Sequence, residues 1–447
     1  MPEGSRPAAA PAPEGALSRR AMLRMGGAGT TGVLATGMLA AAGARAASTA
    51  YPPPTPVDTG AVSGGRVEFP AWRGEADKPS APPPAPLPPS QRVGFAVVGL
   101  GRLSLEEILP AFGECRKARP VALVSGTPDK LRAVAAQYGI AASACHGYDG
   151  FDRLRDDPAV QAVYIVLPNG MHREYVERAA AAGKHALCEK PMATNAADAR
   201  AMVAACERAG VRLMVAYRCQ YEPHHQRVQS FVREGTYGRL VGMSAVNVQT
   251  TAADATRQWR HKRALAGGGA LPDIGLYCLN AARFLTGEEP VEAYATLVSP
   301  PGDPRYAEVE ETVAFTLRFP SGFIANSFTS YGAREDKHQR LLFAEATVDM
   351  PNAYAYAGQR LVVGRREGRD TVEQELVLKK VNQFAAEMDH FAECILEQRR
   401  PRTPGEEGLQ DQLVMEAIYR SAATGRPVPL PRAPAIDATR GPMPRQA

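Results

Sequence analysis

The chain has 447 residues, more than one hydrophobic core normally supports, so its length predicts two or three domains. Hydrophobic residues at 45% and charged residues at 22% are typical of a globular protein, and no apolar run is long enough to span a bilayer. The formal net charge is +5, of which residues 1–46 supply +3 with five Arg against two acids; the remaining +2 is too weak to indicate nucleic-acid binding. The seven cysteines show no CxxC pair and no zinc-type spacing, so we interpret most of them as buried hydrophobic residues and expect no metal site.

The N-terminal segment has the features of an export signal. Arg19 and Arg20 precede a weakly apolar stretch, and residues 44–46 (Ala-Arg-Ala) form a small-x-small cleavage site. Adjacent arginines before a mild apolar segment are typical of the twin-arginine pathway. Residues 1–46 are therefore predicted to be a twin-arginine signal peptide, and the mature protein is expected in the periplasm without membrane insertion. A disordered basic tail or an ordinary secretory signal is the alternative.

Residues 47–91 are predicted to be a proline-rich arm. Twelve of the 38 prolines fall within residues 51–90. This composition cannot build a core and favours extended polyproline II. By composition alone, a flexible linker to the signal is the simpler interpretation.

From Arg92 onward, short apolar runs alternate with helical stretches, as in βαβ units on a parallel sheet. Strands are predicted at residues 93–98, 121–125, 162–167, 185–188 and 212–216. Helices are predicted at residues 105–114, 129–138, 171–182 and 196–209. The fold class is therefore α/β, with an N-terminal Rossmann-type dinucleotide-binding domain over residues 92–217.

After Tyr217 the strands become longer and alternate in polarity, as at residues 241–248, 309–319 and 323–330. This pattern predicts an α+β domain over residues 218–430 with a large, open-faced, mainly antiparallel sheet. Its expected role is substrate binding and oligomerisation. Residues 431–447 are predicted to be a C-terminal tail.

A dinucleotide-binding turn is expected after the first strand. Gly99 allows a tight turn, and Gly101 lets the backbone approach a pyrophosphate. Arg102 and Leu103 continue this loop and are expected to contact the cofactor as well. Ser104 stands where a complete GxGxxG motif would have its third glycine.

The end of the second predicted strand favours NADP over NAD. Ser125 occupies the position of the acid that would bind a ribose 2′-hydroxyl, and Lys130 follows it. A hydroxyl and an ammonium can bind a 2′-phosphate, which a carboxylate would repel. The alternative is that Ser125 is a turn residue and Lys130 a solvated charge.

Two further segments end strands of the predicted parallel sheet. Glu189 and Lys190, followed by Pro191, close a buried strand, and residues 167–169 (Leu-Pro-Asn) end the strand before it. Open α/β sheets bind their ligands at this carboxyl edge. Together with the Gly99 turn, these segments resemble the Gfo/Idh/MocA oxidoreductases.

Four more motifs resemble the glucose-fructose oxidoreductase branch of that family. They are residues 216–219 (AYRC), 258–260 (QWR), 267–277 (GGGALPDIGLY) and 404–408 (PGEEG). The resemblance extends from the arm to Pro427. Tyr277 is informative because many other members of the wider group have a His there. Departures at Leu103, Ser104 and the scattered sugar-contacting positions leave the substrates open.

The resemblance implies that Lys190 and Tyr277 form the catalytic pair, assisted by Asp273. Asp273 and Tyr277 are four residues apart in a predicted helical segment, so their side chains share one face. Hydride transfer from a sugar hydroxyl carbon requires a group that moves the hydroxyl proton. Tyr277 can serve if Lys190 lies near it and stabilises the phenolate.

The same resemblance assigns further contacts. Those to the cofactor are Leu167, Pro168, Asn169, Glu189, Lys190 and Arg218. Those to the substrate are Tyr221, Trp259, Arg260, Asp273 and Tyr277. Trp259 and Arg260 suit a sugar pocket because sugars bind aromatic platforms beside charged donors. A packed Trp beside a solvated Arg is the alternative for that pair.

The expected activity is a ping-pong reaction with tightly bound NADP. An aldose is oxidised to its lactone, and a second sugar, fructose-like or an aldose, is then reduced. The family implies a homotetramer with arm exchange between subunits. The alternatives are an NADP-dependent sugar dehydrogenase with exchangeable cofactor and a non-catalytic NADP-dependent sugar sensor. The joint presence of Lys190, Asp273 and Tyr277 disfavours the sensor.

Overall fold

The computed structural model describes residues 59–69, 86–252 and 255–443. The predicted signal peptide lies outside these ranges, as does much of the predicted arm. Within the arm, β1 (Ala61–Ser63) and β2 (Arg66–Glu68) pair as an antiparallel hairpin. Residues 59–69 contain no proline and have two adjacent glycines, Gly64 and Gly65, at the turn, which explains a hairpin here instead of polyproline II.

The first large sheet has six strands, all parallel, in the order β5-β4-β3-β6-β7-β8. They are β3 (Val93–Val98), β4 (Ala118–Val124), β5 (Cys145–His146), β6 (Ala162–Ile165), β7 (His185–Glu189) and β8 (Leu213–Ala216). All six residues of β3 are buried, as expected of a strand covered on both faces. This order reverses direction between β3 and β6, which confirms the Rossmann-type prediction.

Helices connect these strands. They are α1 (Leu109–Ala111), α2 (Pro128–Tyr138), α3 (His172–Ala181) and α4 (Ala196–Ala209). The predicted helix over residues 105–114 is shorter and begins as a π-helix, Ser104–Ile108. Pro110 has no N–H to bond the carbonyl four residues back, which disfavours a regular α-helical turn here.

The second large sheet has nine strands in the order β16-β15-β14-β13-β9-β12-β11-β10-β17. They are β9 (Leu240–Thr250), β10 (Glu292–Val298), β11 (Thr312–Arg318), β12 (Ile324–Ser330), β13 (Gly332–Phe343), β14 (Ala346–Met350), β15 (Val362–Glu367), β16 (Asp370–Glu375) and β17 (Val428–Pro429). Its pairs are antiparallel except for β9 with β12. The prediction of a large, mainly antiparallel sheet is confirmed.

Five helices belong to this half of the chain: α5 (Pro223–Glu234), α6 (Arg263–Ala266), α7 (Leu276–Thr286), α8 (Gln383–Leu396) and α9 (Gly405–Thr424). Helix α7 packs on β9 and β12, and α9 packs on β10. The outward-facing positions of the sheet carry large exposed apolar side chains: Tyr294, Val298, Ile324, Phe328 and Leu342. One face of the sheet is therefore covered by helices and the other is open.

Helix α8 lies against the first sheet although it comes late in the chain. Phe391 packs against Phe95 of β3, with ring centroids 6.3 Å apart. The Asp389 carboxylate accepts hydrogen bonds from the backbone N–H groups of Lys117 and Ala118, at 2.7 and 3.1 Å, at the start of β4. A boundary near residue 217 assigns α8 to the second domain by sequence, yet its side chains complete the core of the first.

The described part of the predicted C-terminal tail is anchored to the fold. The Arg440 side chain is fully buried and forms an ion pair with Glu407 of α9. The Glu407 carboxylate also accepts hydrogen bonds from Gln220 and Asn280. Because a buried charge is costly unless paired, this contact fixes the tail up to at least Arg440.

None of the helices within the described ranges is long and apolar enough to cross a membrane. The described residues also contain no group of three or more His, Cys, Asp or Glu placed to hold a metal ion. All seven cysteines are free, and six of them are buried.

Candidate active site

A cavity of about 660 Å³ lies at the carboxyl edge of the six-stranded sheet, where residues of both large sheets meet. Sixteen of the predicted site residues line it: Gly99, Gly101, Arg102, Leu103, Ser125, Lys130, Leu167, Pro168, Asn169, Glu189, Lys190, Arg218, Trp259, Arg260, Asp273 and Tyr277. The structure thus brings together residues that are far apart in the sequence, from Gly99 to Tyr277.

Tyr221 does not line the cavity, although it was predicted to contact the substrate. It is buried in the core, where its hydroxyl lies 2.9 Å from Thr403 Oγ1. Its ring packs against His390, with centroids 5.2 Å apart. The hydroxyl and the ring are both held by the core, so Tyr221 supports the fold at this point.

The turn after β3 is built for close approach. Gly99 has φ +92°, and a Cβ on it would lie 2.2 Å from the carbonyl oxygen of Val166, which follows β6. Only glycine fits here. The Ser104 hydroxyl donates a hydrogen bond to the Gly99 carbonyl, so the residue that replaces the third glycine ties the turn to the helix after it.

One end of the cavity carries Ser125 and Lys130, both buried. Lys130 Nζ donates a hydrogen bond to the backbone oxygen of Thr59, 2.6 Å away, and burial lowers the pKa of Lys130 to about 8. The Arg102 guanidinium lies over the Phe69 ring, 4.6 Å from its centroid. Residues 59–69 of the arm therefore lie on this end of the cavity in their own chain. A hydroxyl and an ammonium beside a glycine turn fit a dinucleotide with a 2′-phosphate.

Lys190 and Asp273 make the central polar contact of the cavity. Lys190 Nζ donates to the Asp273 carbonyl oxygen at 2.7 Å and lies 3.5 Å from Asp273 Oδ1. The other carboxylate oxygen accepts from the Tyr331 hydroxyl at 2.7 Å and lies 3.3 Å from Arg260 Nε. Burial raises the pKa of Asp273, but Arg260 and Lys190 outweigh burial and hold it below its ordinary value. Asp273 is therefore a carboxylate.

The segment that carries Asp273 is a π-helix, Leu271–Gly275, which leads directly into α7. The sequence predicted a regular helical spacing between Asp273 and Tyr277. Both residues line the cavity as predicted, and the wider turn brings the Asp273 backbone oxygen to Lys190. Gly275 permits the close packing, since a Cβ there would lie 2.8 Å from Thr329 Cγ2 on β12.

Two cations flank the ring of Tyr277. Lys190 Nζ lies 4.7 Å and the Arg218 guanidinium 4.8 Å from its centroid. Burial raises the pKa of Tyr277, and Arg218, which also hydrogen-bonds the side chain, opposes that rise. Lys190 is near, as the phenolate hypothesis requires, but the hydrogen-bonding cation is Arg218.

Arg218 is held by several acceptors. Its Nη1 donates to Gln383 Oε1 at 2.6 Å, and its Nη2 donates to the Tyr354 carbonyl oxygen at 2.6 Å. The guanidinium also stacks on Tyr356, 4.5 Å from the ring centroid. Arg218 was predicted to contact the cofactor; the structure places it on the cavity wall in a position that fixes the Tyr277 ring.

Sequence reasoning missed the part of the cavity that the nine-stranded sheet supplies. Asn247 and Gln249 lie on β9, and Glu335 and Lys337 lie on β13. Asn247 and Lys337 are paired directly across the two strands. The sequence of β9 does contain a signal for these residues. The alternate positions 243, 245, 247 and 249 face inward, and their side chains change from apolar to amide toward the end of the strand.

Near this part of the wall, Trp259 and Arg260 are stacked on each other. The Arg260 guanidinium lies 4.6 Å from the Trp259 ring centroid. Because Arg260 also reaches the Asp273 carboxylate, it is not simply a solvated charge. An aromatic ring beside fixed charged donors is an arrangement suited to a polyhydroxylated ligand.

Comparison with known families gives two matches along the chain. The Gfo/Idh/MocA profile, described as an oxidoreductase family with an NAD-binding Rossmann fold, matches residues 93–217. The profile of the Gfo/Idh/MocA C-terminal domain matches residues 225–345. The two matches cover the segments that bear the Gly99 turn, Lys190 and Tyr277.

Individual relatives are sugar enzymes. The crystal structure of aldose-aldose oxidoreductase from Caulobacter crescentus, complexed with glycerol, is 44% identical with a TM-score of 0.73, covering 76% of this chain and 100% of that one. D-xylose 1-dehydrogenase [NADP(+)] of Haloarcula marismortui is 33% identical, over 74% of this chain and 91% of the relative. D-apiose dehydrogenase of Paraburkholderia graminis is 31% identical, over 78% and 94%.

Ser125→Asp is expected to reverse a preference for NADP over NAD by roughly tenfold or more, because a carboxylate repels a 2′-phosphate and accepts hydrogen bonds from a free ribose. Calorimetric titration of both nucleotides into cofactor-stripped protein measures the two affinities. Ser143→Asp, at an exposed position of the same domain, adds the same charge and serves as the control. An unchanged NADP/NAD ratio in Ser125→Asp would show that Ser125 does not contact the 2′ position.

Proposed function

The chain belongs to the Gfo/Idh/MocA oxidoreductase family, and on that premise we propose that it oxidises an aldose to its lactone and reduces a second sugar with the same bound NADP. The observation that carries the proposal is the contact of Lys190 with both Asp273 and Tyr277 in the cavity that also contains the Gly99 turn. The similarity to an aldose-aldose oxidoreductase and to an NADP-dependent xylose dehydrogenase supports sugars as substrates.

NADP, when bound, supplies the hydride acceptor and donor. In this chain Gly99 and Gly101 would hold its pyrophosphate, and Ser125 with Lys130 would hold its 2′-phosphate. The segments 167–169 and 189–190 line the cavity at the carboxyl edge of β6 and β7, where they would enclose the reactive end.

Tyr277 would move the proton that accompanies the hydride. Burial raises its pKa, so at neutral pH the phenol is protonated and ready to donate to a sugar carbonyl. In the opposite direction it must accept a proton, and Arg218 and Lys190 on its ring favour the phenolate. Asp273 keeps Lys190 in place, and Arg260 and Tyr331 keep Asp273 in place.

The purified protein with its retained cofactor is expected to convert glucose plus fructose, or glucose plus xylose, to equal amounts of lactone and reduced sugar without added nucleotide. Tyr277→Phe keeps the ring but removes the hydroxyl, so turnover is expected to fall by roughly 10²-fold. Chromatographic quantification of both products measures this. Tyr138→Phe, on α2 and outside the cavity, is the matched hydroxyl deletion.

The two half-reactions provide a second readout of the same experiment. Because the pKa of Tyr277 is raised, oxidation of glucose by the bound cofactor should speed up as the pH rises from neutral, whereas reduction should slow only near that raised pKa. Stopped-flow absorbance separates the two. Products that form only when NADP is added would instead support a dehydrogenase with exchangeable cofactor.

We further propose that the arm retains the cofactor and that the enzyme is a homotetramer. The contacts of Thr59 with Lys130 and of Phe69 with Arg102 support a cover in the same chain. The apolar outer face of the nine-stranded sheet supports association with a second copy. The alternative is that arms are exchanged between subunits, so that each arm covers the cavity of a neighbouring subunit.

Phe69→Ala is expected to loosen the hairpin and to release NADP during dialysis, because it removes the stacking partner of Arg102. Val62→Ala, on the same hairpin and exposed, is the control. Absorbance of released nucleotide after denaturation gives NADP per subunit, and light scattering gives the mass. Full retention in Phe69→Ala and in a chain lacking residues 51–88 would leave the arm as a spacer; a loss of the tetramer in the deletion would favour exchange between subunits.

Periplasmic export is likewise a proposal, resting on Arg19 and Arg20. Replacing both with Lys is expected to leave the unprocessed precursor in the cytoplasm, while Arg24→Lys, outside the pair, should be exported normally. Cell fractionation and intact mass of the product measure the outcome. Processed periplasmic protein from the double variant would rule out the twin-arginine route.

A further inference from the structure

Three buried polar side chains lie together at the base of the cavity. Tyr164 is on β6, Glu189 ends β7, and Glu387 is on α8; Tyr164 and Glu387 are fully buried, and Glu189 is 6% exposed. The Tyr164 hydroxyl lies 2.8 Å from Glu189 Oε1 and 3.0 Å from Glu387 Oε1. Glu189 lines the cavity, whereas the other two lie behind it.

The number of hydrogens available for hydrogen bonds among these three side chains limits their protonation states. A phenol has one hydroxyl hydrogen, so Tyr164 can donate a hydrogen bond to only one of the two carboxyl groups and must accept a hydrogen bond from the other. An ionised carboxylate has no hydrogen to donate. Two carboxylates sharing one phenol hydrogen would also repel each other in a buried site. One of the two carboxyl groups must therefore carry a proton.

The surroundings identify which one. Glu189 Oε2 accepts a hydrogen bond from the backbone N–H of Lys190 at 3.1 Å, and the Lys190 side chain adds a positive charge nearby. Glu387 Oε2 is buried and has no hydrogen-bond partner among the residues that the structure describes. A neutral carbonyl oxygen tolerates that position far better than an anion does.

Charged and ionisable groups face the pair from several elements: Lys190, Arg218, Cys115, Cys219, Tyr221 and Tyr277. Arg218 donates its hydrogen bonds to Gln383, to backbone oxygens and to Tyr277, and its charge lowers the pKa of Glu387 without a direct contact. No described cation forms a hydrogen bond or an ion pair with the Glu387 carboxyl. Burial raises the pKa of Glu387 well above its ordinary value, and the charge of Glu189 raises it further. Burial also raises the pKa of Glu189, but Lys190 opposes that rise.

We propose that Glu387 is a neutral carboxylic acid that donates a hydrogen bond to the Tyr164 oxygen. The Tyr164 hydroxyl then donates a hydrogen bond to Glu189 and holds the carboxylate that orients Lys190 through its backbone N–H. Glu387 and Tyr164 are then positioning residues that act on Lys190 through Glu189. The proposal concerns the proton inventory of this protein and does not depend on which sugars it uses.

Infrared difference spectroscopy of the intact protein at neutral pH tests the first part. Wild type minus Glu387→Gln is expected to show the carbonyl band of a protonated carboxylic acid, which shifts in D₂O. The glutamine side chain has the same shape and its amide can donate to Tyr164, so the fold should be retained. Glu393→Gln is the control on the same helix: Glu393 pairs with Lys117 and Arg399 and should contribute only carboxylate bands. Carboxylate bands alone for Glu387 would overturn the proposal.

Tyr164→Phe tests the second part. Loss of the hydroxyl removes a hydrogen bond that favours ionised Glu189, so the acid limb of the kcat profile should move to higher pH by about one unit. The carbonyl band of Glu387 should also shift, since its proton loses its acceptor. In Glu387→Gln the acid limb should stay in place, whereas removal of an ionised Glu387 would move it to lower pH. An acid limb that does not move in Tyr164→Phe would exclude a positioning role for Tyr164. The infrared measurement needs no turnover, so its outcome does not depend on the proposed reaction.

Discussion

The contact between Lys190 and Asp273 is the interaction on which the cavity depends. Lys190 directly follows strand β7 of the parallel sheet, and Asp273 precedes the helix that packs on the antiparallel sheet, so the contact joins the two halves. The two side chains are only 13% and 17% exposed. A charge with so little access to water is costly to bury alone, and each compensates the other. Tyr277 lies one turn after Asp273, so the contact between Lys190 and Asp273 also fixes the position of Tyr277 in the cavity.

Much of this arrangement could be predicted because it depends on local rules. Strand β3 was predicted with its observed limits. A continuous apolar run that ends at glycines is typical of a buried strand followed by a tight turn. Ligand sites of parallel sheets lie at the carboxyl edge, so residues that directly follow strands of the sheet, such as Gly99 and Lys190, had to lie at that edge. The motif at residues 267–277 contains both Asp273 and Tyr277, so the two residues could be predicted together.

The rest depends on contacts that no local pattern contains. Asn247 and Lys337 meet through the register of two strands that are distant in sequence, and register cannot be read from either strand alone. Tyr221 follows Arg218 by three residues, yet it enters the core because Thr403 and His390 receive it there. A sequence pattern predicts that a tyrosine is half-buried but does not predict which cavity or core its hydroxyl reaches.

Helix α8 shows how such long-range contacts shape the chemistry. Gln383 and Glu387 are four residues apart on it and so share a face. Gln383 accepts a hydrogen bond from Arg218, which fixes the Tyr277 ring, and Glu387 contacts Tyr164, which reaches Glu189 beside Lys190. One face of this helix, which comes late in the chain and packs on the first sheet, thus contacts both Arg218, which touches Tyr277, and Tyr164, which connects to Lys190 through Glu189. A displacement of α8 would therefore disturb Lys190 and Tyr277 together, although the helix carries neither of them.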